Sequence, residues 1–142
     1  MKHRVLFVCI HNSARSQMAE EMLRKLAGDR FEVESAGLEP GEINPLVREA
    51  MLEEGVDLTE KKTQSVFALR QAGKRYHTVV TVCGPEAEER CPVFPGATRT
   101  LRWEFPDPSR LQGTDEEKLT RVREIRELIM IEIRKFISRE DL

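Results

Sequence analysis

The sequence predicts an α/β protein, a three-layer sandwich in which a mostly parallel sheet is covered by helices on both faces. Two observations lead to this prediction, and a third sets the number of domains. Residues 3–9 form an apolar, β-branched run without sustained alternation, which is typical of a central strand buried on both faces. Strand-like and helical segments then alternate along the chain. At 142 residues, with 39% hydrophobic and 34% charged residues, the chain has the size of one compact domain, so we expect residues 1–142 to form a single domain.

The first half of the chain supplies two strands and two helices. After the strand at residues 3–9, helical spacing of Met and Leu side chains begins at Ser16 and stops at Gly28. Residues 31–36 predict the second strand, and residues 37–41 predict a turn. Asn44 is a typical N-cap, because Pro45 follows it at the first helical position, and Gly55 marks the end of that helix.

The second half continues the alternation. Residues 63–72 predict a short helix, residues 76–83 a third strand and residues 97–101 a weaker fourth strand. Residues 105–108 are proline-rich and must form a loop. A capping box at Thr114 then opens the last helix. The apolar face of that helix is traced by Leu119, Val122, Ile125, Ile129, Ile133 and Phe136.

Charge and cysteine content exclude several classes of protein. Twenty-three Lys and Arg balance 25 Asp and Glu, so no global field favours nucleic acid or an anionic membrane. No apolar run reaches the roughly 20 residues of a membrane span, and no signal-peptide cleavage site follows the start, so we expect a cytoplasmic protein. Three cysteines are too few for a secreted disulfide framework. In a reducing compartment, such thiols more often take part in chemistry.

The segment that joins the first strand to its helix is the candidate active site. It reads Cys-Ile-His-Asn-Ser-Ala-Arg-Ser and lies at the carboxyl end of a strand, where open α/β sheets bind ligands. Main-chain N–H groups in such a turn, helped by a helix N-terminus, can cradle a tetrahedral oxyanion. The predicted oxyanion-binding residues are Ile10, His11, Asn12, Ser13, Ala14, Arg15 and Ser16.

Cys9 and Arg15 carry the predicted chemistry of this loop. The planar guanidinium suits two oxygens of a phosphate-like group, and together with the helix N-terminus it favours the nucleophilic thiolate. Ser16 can donate to the sulfur or to an oxygen, Asn12 can brace the loop, and His11 shapes the loop rather than acting as a base. The alternative is an ordinary strand cysteine and an exposed arginine, but the combination of a strand, a five-residue gap and a helix favours catalysis.

These residues resemble the low-molecular-weight tyrosine phosphatase superfamily and, within it, the arsenate reductases that use thioredoxin. The resemblance covers nearly the whole chain and implies a single catalytic domain with a four-stranded parallel sheet of order 2-1-3-4. It also implies that Asp107 protonates the leaving oxygen. The motifs that carry it are Val8-Cys9, Arg15 to Glu20, Glu34 to Gly37, Asn44-Pro45, Val82-Cys83, Cys91-Pro92 and Trp103 to Pro108.

Two departures favour the reductase branch over the phosphatase branch. Phosphatases of this family carry tyrosines after the Asp-Pro pair, whereas Ser109 follows here, and Tyr76 is the only tyrosine in the chain. The chain also has two further cysteines. Cys83 ends a strand that should reach the same sheet edge as Cys9, and a polar stretch, predicted to be mobile and exposed, separates it from Cys91.

The resemblance implies the order of a thiol relay. Cys9 attacks arsenate, Cys83 attacks Cys9 so that arsenite leaves, and Cys91 takes Cys83 into a redox-active disulfide that thioredoxin reduces. Such a reaction serves arsenical resistance and detoxification, with phosphate or sulfate as competing anions. Two cysteines beyond the nucleophile favour thioredoxin over mycothiol or glutaredoxin, and we expect a monomer.

Other interpretations stay open at this point. The main alternative is a phosphatase that forms a Cys9 phosphoenzyme with Asp107 as general acid; a non-catalytic anion or metalloid sensor is another. Asp107 could also serve only as a turn residue. Cys83 could be a core residue and Cys91 an incidental thiol, or Cys9, Cys83, Cys91 and His11 could hold zinc, although the spacing lacks a close cysteine pair.

We expect no structural metal and no tightly bound cofactor. The resemblance implies at most a weak potassium site near Asn12, Glu20 and Ser35. Ser65 stands where an acidic ligand would complete that site.

Overall fold

The computed structural model describes residues 2–140 and contains a four-stranded parallel sheet. Its strands are β1 His3–Cys9, β2 Phe31–Gly37, β3 Thr78–Thr81 and β4 Arg99–Arg102. They lie in the order β2-β1-β3-β4, and every pair is parallel. The predicted sheet and its strand order are therefore confirmed. Met1, Asp141 and Leu142, at the ends of the predicted domain, lie outside the described residues.

Helices cover both faces of this sheet. They are α1 Arg15–Ala27, α2 Pro45–Leu52, α3 Val66–Gln71, α4 Pro85–Arg90 and α5 Asp115–Glu140, with one 3₁₀ turn at Pro108–Arg110. Alternate side chains of β1 enter two cores, because successive residues of a strand point to opposite faces. Val5 and Phe7 pack with α1, α2 and α5, whereas Leu6 and Val8 pack with α3 and α4. None of the helices in residues 2–140 has the length and apolar character needed to cross a membrane.

The helix starts follow the predicted capping chemistry. The Asn44 side chain accepts a hydrogen bond from the Leu46 amide at 2.8 Å, with Pro45 at the first helical position. Thr114 and Glu117 form the reciprocal capping box, in which each side chain bonds the other residue's amide. These bonds satisfy amide groups that have no partner within the first helical turn.

The polar stretch after Cys83 differs from the prediction. The prediction is a mobile, exposed loop; most of its side chains are exposed, but residues 85–90 form helix α4 instead of a loop. Pro85 stands at the first helical position, Glu86 and Glu88 lie in the first turn and Arg90 in the last, so the charges suit the helix dipole. Ala87 is the one buried residue of this helix, which leaves α4 with little packing to stabilise it.

Candidate active site

The loop between β1 and α1 turns all its carbonyl groups away from its centre. The carbonyl oxygens of residues 9–14 each accept a hydrogen bond from elsewhere, and the main-chain donors include Leu38, Glu39, Gly41 and Asn44. By contrast, the N–H groups of residues 10–14 donate to no protein acceptor among residues 2–140. Amide donors that converge without acceptors form an anion-binding nest. The loop therefore has free donors available for an oxyanion, and oxyanion binding by residues 10–16 stays a prediction.

Asn12 is the buried residue that holds the loop in this shape. Its φ of 55° lies in the left-handed region, which asparagine tolerates better than most residues. Its Nδ2 donates to the hydroxyls of Ser16 at 2.8 Å and Ser35 at 2.9 Å, and its Oδ1 accepts from the Gln64 amide at 3.0 Å and from Gln17 Nε2 at 3.0 Å. Asn12 thus braces the loop, as predicted, through hydrogen bonds to two serines and two glutamines.

Arg15 lies at the end of the loop, and residues 105–107 hold its guanidinium group. One terminal nitrogen donates to the Phe105 carbonyl at 3.0 Å, and the other lies 3.6 Å from the Asp107 carboxylate. Its Nε is buried and has no protein partner among the described residues. Burial lowers the pKa of Arg15, which the Asp107 carboxylate opposes, and a guanidinium nevertheless stays charged. An oxyanion oxygen would supply the acceptor that Nε lacks.

Asp107 lies beside Arg15 and also shapes its own turn. Its Oδ1 accepts from the Ser109 amide at 2.9 Å and from the Ser109 hydroxyl at 2.7 Å. Burial alone would raise the pKa of Asp107, but the Ser109 hydrogen bonds and the charges of Arg15 and Arg110 lower it. The carboxylate is therefore ionised at neutral pH in this conformation. Both the turn role and the position next to the loop are present.

Cys9 and Cys83 are joined by a disulfide. Their Cα atoms lie 5.2 Å apart, within the usual range for such a bond. The parallel pairing of β1 with β3 brings both residues to the same edge of the sheet, as predicted. Because these two sulfurs are joined, the alternative zinc set is not assembled, and no cluster of three or more His, Cys, Asp or Glu in residues 2–140 is arranged to hold a metal.

Cys91 is free and half-buried at the carboxyl end of α4. Burial raises the pKa of its thiol to about 11. The thiol donates weakly to the Pro92 carbonyl at 3.5 Å. At neutral pH this sulfur is protonated and is a poor nucleophile in the conformation described.

A basic cleft of about 910 Å³ adjoins the loop at Ser13. Four cationic side chains and one acidic side chain line it: Arg48, Lys61, Lys62, Lys118 and Glu42. Lys61 is paired with Glu20 and Glu21, but the other three cations still outnumber Glu42. Although the whole chain is nearly neutral, this local excess of positive charge attracts anions toward the loop.

Comparison with known proteins identifies the family. The sequence profile described as low molecular weight phosphotyrosine protein phosphatase matches residues 4–141. The chain belongs to this family. Its members similar to the chain include the arsenate reductase of Halalkalibacterium halodurans, 38% identical over 132 residues, and that of Bacillus subtilis, 37% identical over 134 residues, each with 93% of both chains covered.

Solved structures of similar proteins show the same fold. An arsenate reductase in the oxidised state aligns with a TM-score of 0.80 at 26% identity, with 98% of both chains covered. A tyrosine phosphatase of Erwinia amylovora, only 18% identical, aligns with a TM-score of 0.67 over 97% of this chain and 93% of its own, and shows the fold alone. The predicted phosphatase-like fold is confirmed.

The structure brings most of the predicted site residues together. The loop, Arg15, Asp107 and Cys83 converge, and the expected trio of Asn12, Ser35 and Glu20 forms a hydrogen-bonded chain. Three further residues of the site have no predicted role: Gln17 and Gln64 contact Asn12, and Lys61 contacts Glu20. Gln17 lies in the helical motif directly after Ser16, whereas no sequence signal connects residues 61–64 to a loop about fifty positions earlier.

Proposed function

We propose that this protein is an arsenate reductase that returns to its reduced form through thioredoxin. The Cys9–Cys83 disulfide is the observation that carries the proposal. A phosphatase needs its nucleophile only to form and hydrolyse a phosphoenzyme, whereas a reductase needs a second thiol within reach of the first. The relatives named above as arsenate reductases support the same conclusion.

The reaction begins at the Cys9 thiolate. It attacks arsenic(V) in the amide nest, a sulfur–arsenic bond forms, and one arsenate oxygen leaves as water after protonation. Asp107 is the proposed donor. Bound arsenate brings negative charge beside Asp107 and engages Arg15, and both effects raise the pKa of the carboxyl from its lowered value.

Two electrons then pass from sulfur to arsenic. The Cys83 thiolate attacks the Cys9 sulfur, the sulfur–arsenic bond breaks, and its electron pair stays on arsenic, which leaves as arsenite. The product is the Cys9–Cys83 disulfide. Cys91 next attacks Cys83, which frees Cys9 as a thiolate and leaves a Cys83–Cys91 disulfide. The dithiol of thioredoxin reduces this last bond and is itself oxidised.

Helix α4 must unwind before Cys91 can reach Cys83. Gly84 and the six helical residues Pro85–Arg90 separate the two cysteines, and a helix of six residues is roughly 9 Å long. A disulfide requires Cα atoms within about 4.4–6.8 Å of each other. Unwinding would also expose the Cys91 thiol and return its pKa toward the ordinary value of 9.0. The same motion thus moves and activates the attacking sulfur.

The proposed partners follow from this chemistry. Arsenate is the substrate, phosphate and sulfate compete for the amide nest because they are tetrahedral oxyanions, and thioredoxin is the protein partner. We place the protein in the cytoplasm, where a thioredoxin system is present, and propose that it acts as a monomer without nucleic acid or membrane.

A coupled assay tests the proposal. Arsenate-dependent NADPH consumption is measured with thioredoxin and its reductase, and the same preparation is tested for p-nitrophenyl phosphate hydrolysis. We expect arsenate-dependent turnover that Cys83→Ser or Cys91→Ser abolishes. Hydrolysis that is insensitive to both substitutions, without arsenate reduction, would instead assign the loop to a phosphatase. Anion binding with neither activity would indicate a sensor.

A further inference from the structure

Glu20 is a buried carboxylate, and two cations compensate its charge. Its side chain on α1 is only 4% exposed. Its Oε2 accepts from Arg24 at 2.6 Å and from the ammonium group of Lys61, which also lies 3.2 Å from Glu21. Its Oε1 accepts from the hydroxyl of Ser35. A charge at this depth is tolerated only when it is paired and hydrogen-bonded, and Glu20 meets both conditions.

The neighbours of Glu20 use most of their oxygen lone pairs in hydrogen bonds within the protein. The main-chain N–H of Gln64 can only donate, so the Asn12 side-chain atom that it contacts at 3.0 Å must be the oxygen. The Asn12 NH₂ group therefore faces Ser35. The Ser35 hydroxyl gives its hydrogen to Glu20. The Gln17 and Gln64 donors occupy both lone pairs of Asn12 Oδ1, and the Ser35 oxygen, which accepts from Asn12, keeps at most one. One hydroxyl lone pair falls short of the oxygen ligand set that a hard cation requires.

These residues do not fit a bound potassium ion, and we infer that the Lys61 ammonium is the fixed monovalent cation of this site. It neutralises Glu20, and Glu20 in turn holds Ser35 and, through Ser35, the Asn12 side chain that shapes the oxyanion loop. Lys61 is thus a positioning residue for the loop. The potassium site suggested by family resemblance is replaced by a side chain of the protein itself.

Melting temperatures test this inference directly. Wild type and Lys61→Met are melted in potassium chloride and in choline chloride at equal ionic strength. We expect wild type to melt at the same temperature in both salts. In choline chloride, Lys61→Met should melt about 5 °C below wild type, because the buried Glu20 carboxylate loses one cationic partner and keeps only Arg24. Potassium should restore part of that loss.

Controls separate the role of Lys61 from a general change in charge. Lys25→Met removes a like charge from α1, where Lys25 donates to the exposed Glu54 carbonyl and contacts no carboxylate among residues 2–140, and it should not create a response to potassium. Lys61→Arg should keep wild-type behaviour. Selective stabilisation of wild type by potassium would overturn the inference, and so would a Lys61→Met protein that melts like wild type or ignores potassium. If Lys61→Met does not fold, wild type and Lys61→Arg still decide the question.

An activity measurement extends the test and rests on the proposed function. Arsenate reduction by Lys61→Met should rise severalfold on replacing choline by potassium, whereas the wild-type rate should not change. The melting experiment needs no arsenate. A protein that fails to reduce arsenate but shows the predicted melting pattern would therefore contradict the proposed function and not the role of Lys61.

Discussion

Loosening helix α4 should accelerate formation of the Cys83–Cys91 disulfide. Ala87→Gly is the sharpest perturbation, because Ala87 is the one buried residue of this helix. Glycine weakens a helix interior by about 1 kcal/mol relative to alanine. Loss of the buried methyl group would add up to about 0.8 kcal/mol, and the extended-chain reference makes that figure an upper bound. Together they favour the unwound state by about 1.5 kcal/mol.

This free energy converts directly into a rate if unwinding precedes attack. About 1.4 kcal/mol corresponds to a tenfold change in the population of the unwound state. The third step of the relay, in which Cys91 attacks Cys83, should therefore proceed about tenfold faster in Ala87→Gly. The first two steps should keep their wild-type rates, because α4 takes no part in them. The substitution would therefore shift the balance between the two disulfides, not the amount of arsenite formed.

Quenched-flow mass spectrometry measures the effect. Reduced protein is mixed with arsenate, quenched with acid, alkylated and digested, and the peptides joined through Cys9–Cys83 and Cys83–Cys91 are followed over time. Ala68→Gly in α3 is the matched control, because it makes the same substitution at an exposed helical position elsewhere. A third step that is unchanged or slower in Ala87→Gly would refute the proposed unwinding.

Five further outcomes are expected from the same mechanism. Cys91→Ser should stop after one turnover with the Cys9–Cys83 disulfide intact, whereas Cys83→Ser should release no arsenite, and mass spectrometry of the arrested proteins distinguishes the two. Arg15→Lys should weaken phosphate binding about a hundredfold in calorimetry, because two charged hydrogen bonds of roughly 1.5 kcal/mol each lose their planar donor. Asn12→Ala should lower the free energy of unfolding by about 3 kcal/mol in urea titrations, because it leaves several buried partners unpaired. The third step should speed up as pH rises from about 7 toward 9, because deprotonation supplies the Cys91 thiolate.

The raised pKa of Cys91 also predicts how the closed conformation responds to alkaline pH. Burial raises the pKa from 9.0 to about 11, so the folded state binds the proton more tightly than the unwound state does. The packed conformation of α4 is therefore fully stable below about pH 9 and loses stability as pH rises toward 11. Hydrogen exchange or alkylation of Cys91 across this range should show progressively greater opening.

Local patterns in the sequence were sufficient to predict much of the fold. The buried β1 run, the Asn44-Pro45 cap and the Thr114 capping box each depend on neighbouring residues, so the chain records them locally. Strand β3 is shorter than the predicted residues 76–83, whereas β4 begins two residues later and ends one residue later than the predicted residues 97–101. Both differences follow from which residues pair with the neighbouring strand. Strand ends depend on tertiary pairing that propensity does not encode.

The sequence predicts the parts of the site that a motif or the strand topology places. It does not predict the contacts that form between segments distant in the chain. The Cys9 to Ser16 loop lies between two recognisable elements, and parallel pairing brings Cys83 beside Cys9. The contact between Arg15 and the Phe105 carbonyl joins residues 90 positions apart. The Lys61–Glu20 pair likewise depends on how the segment before α3 packs against α1. Such contacts arise from packing and leave no periodic signal.

The central claim is that the Cys9 sulfur transfers two electrons to arsenic with the help of Cys83. Pre-reduced protein should therefore be mixed with arsenate in the absence of any reductant, and arsenite and free thiols counted. The account predicts one arsenite per chain together with the loss of two thiols, and no arsenite from Cys83→Ser. Full retention of thiols with no arsenite, in a protein that still binds phosphate at the loop, would contradict it.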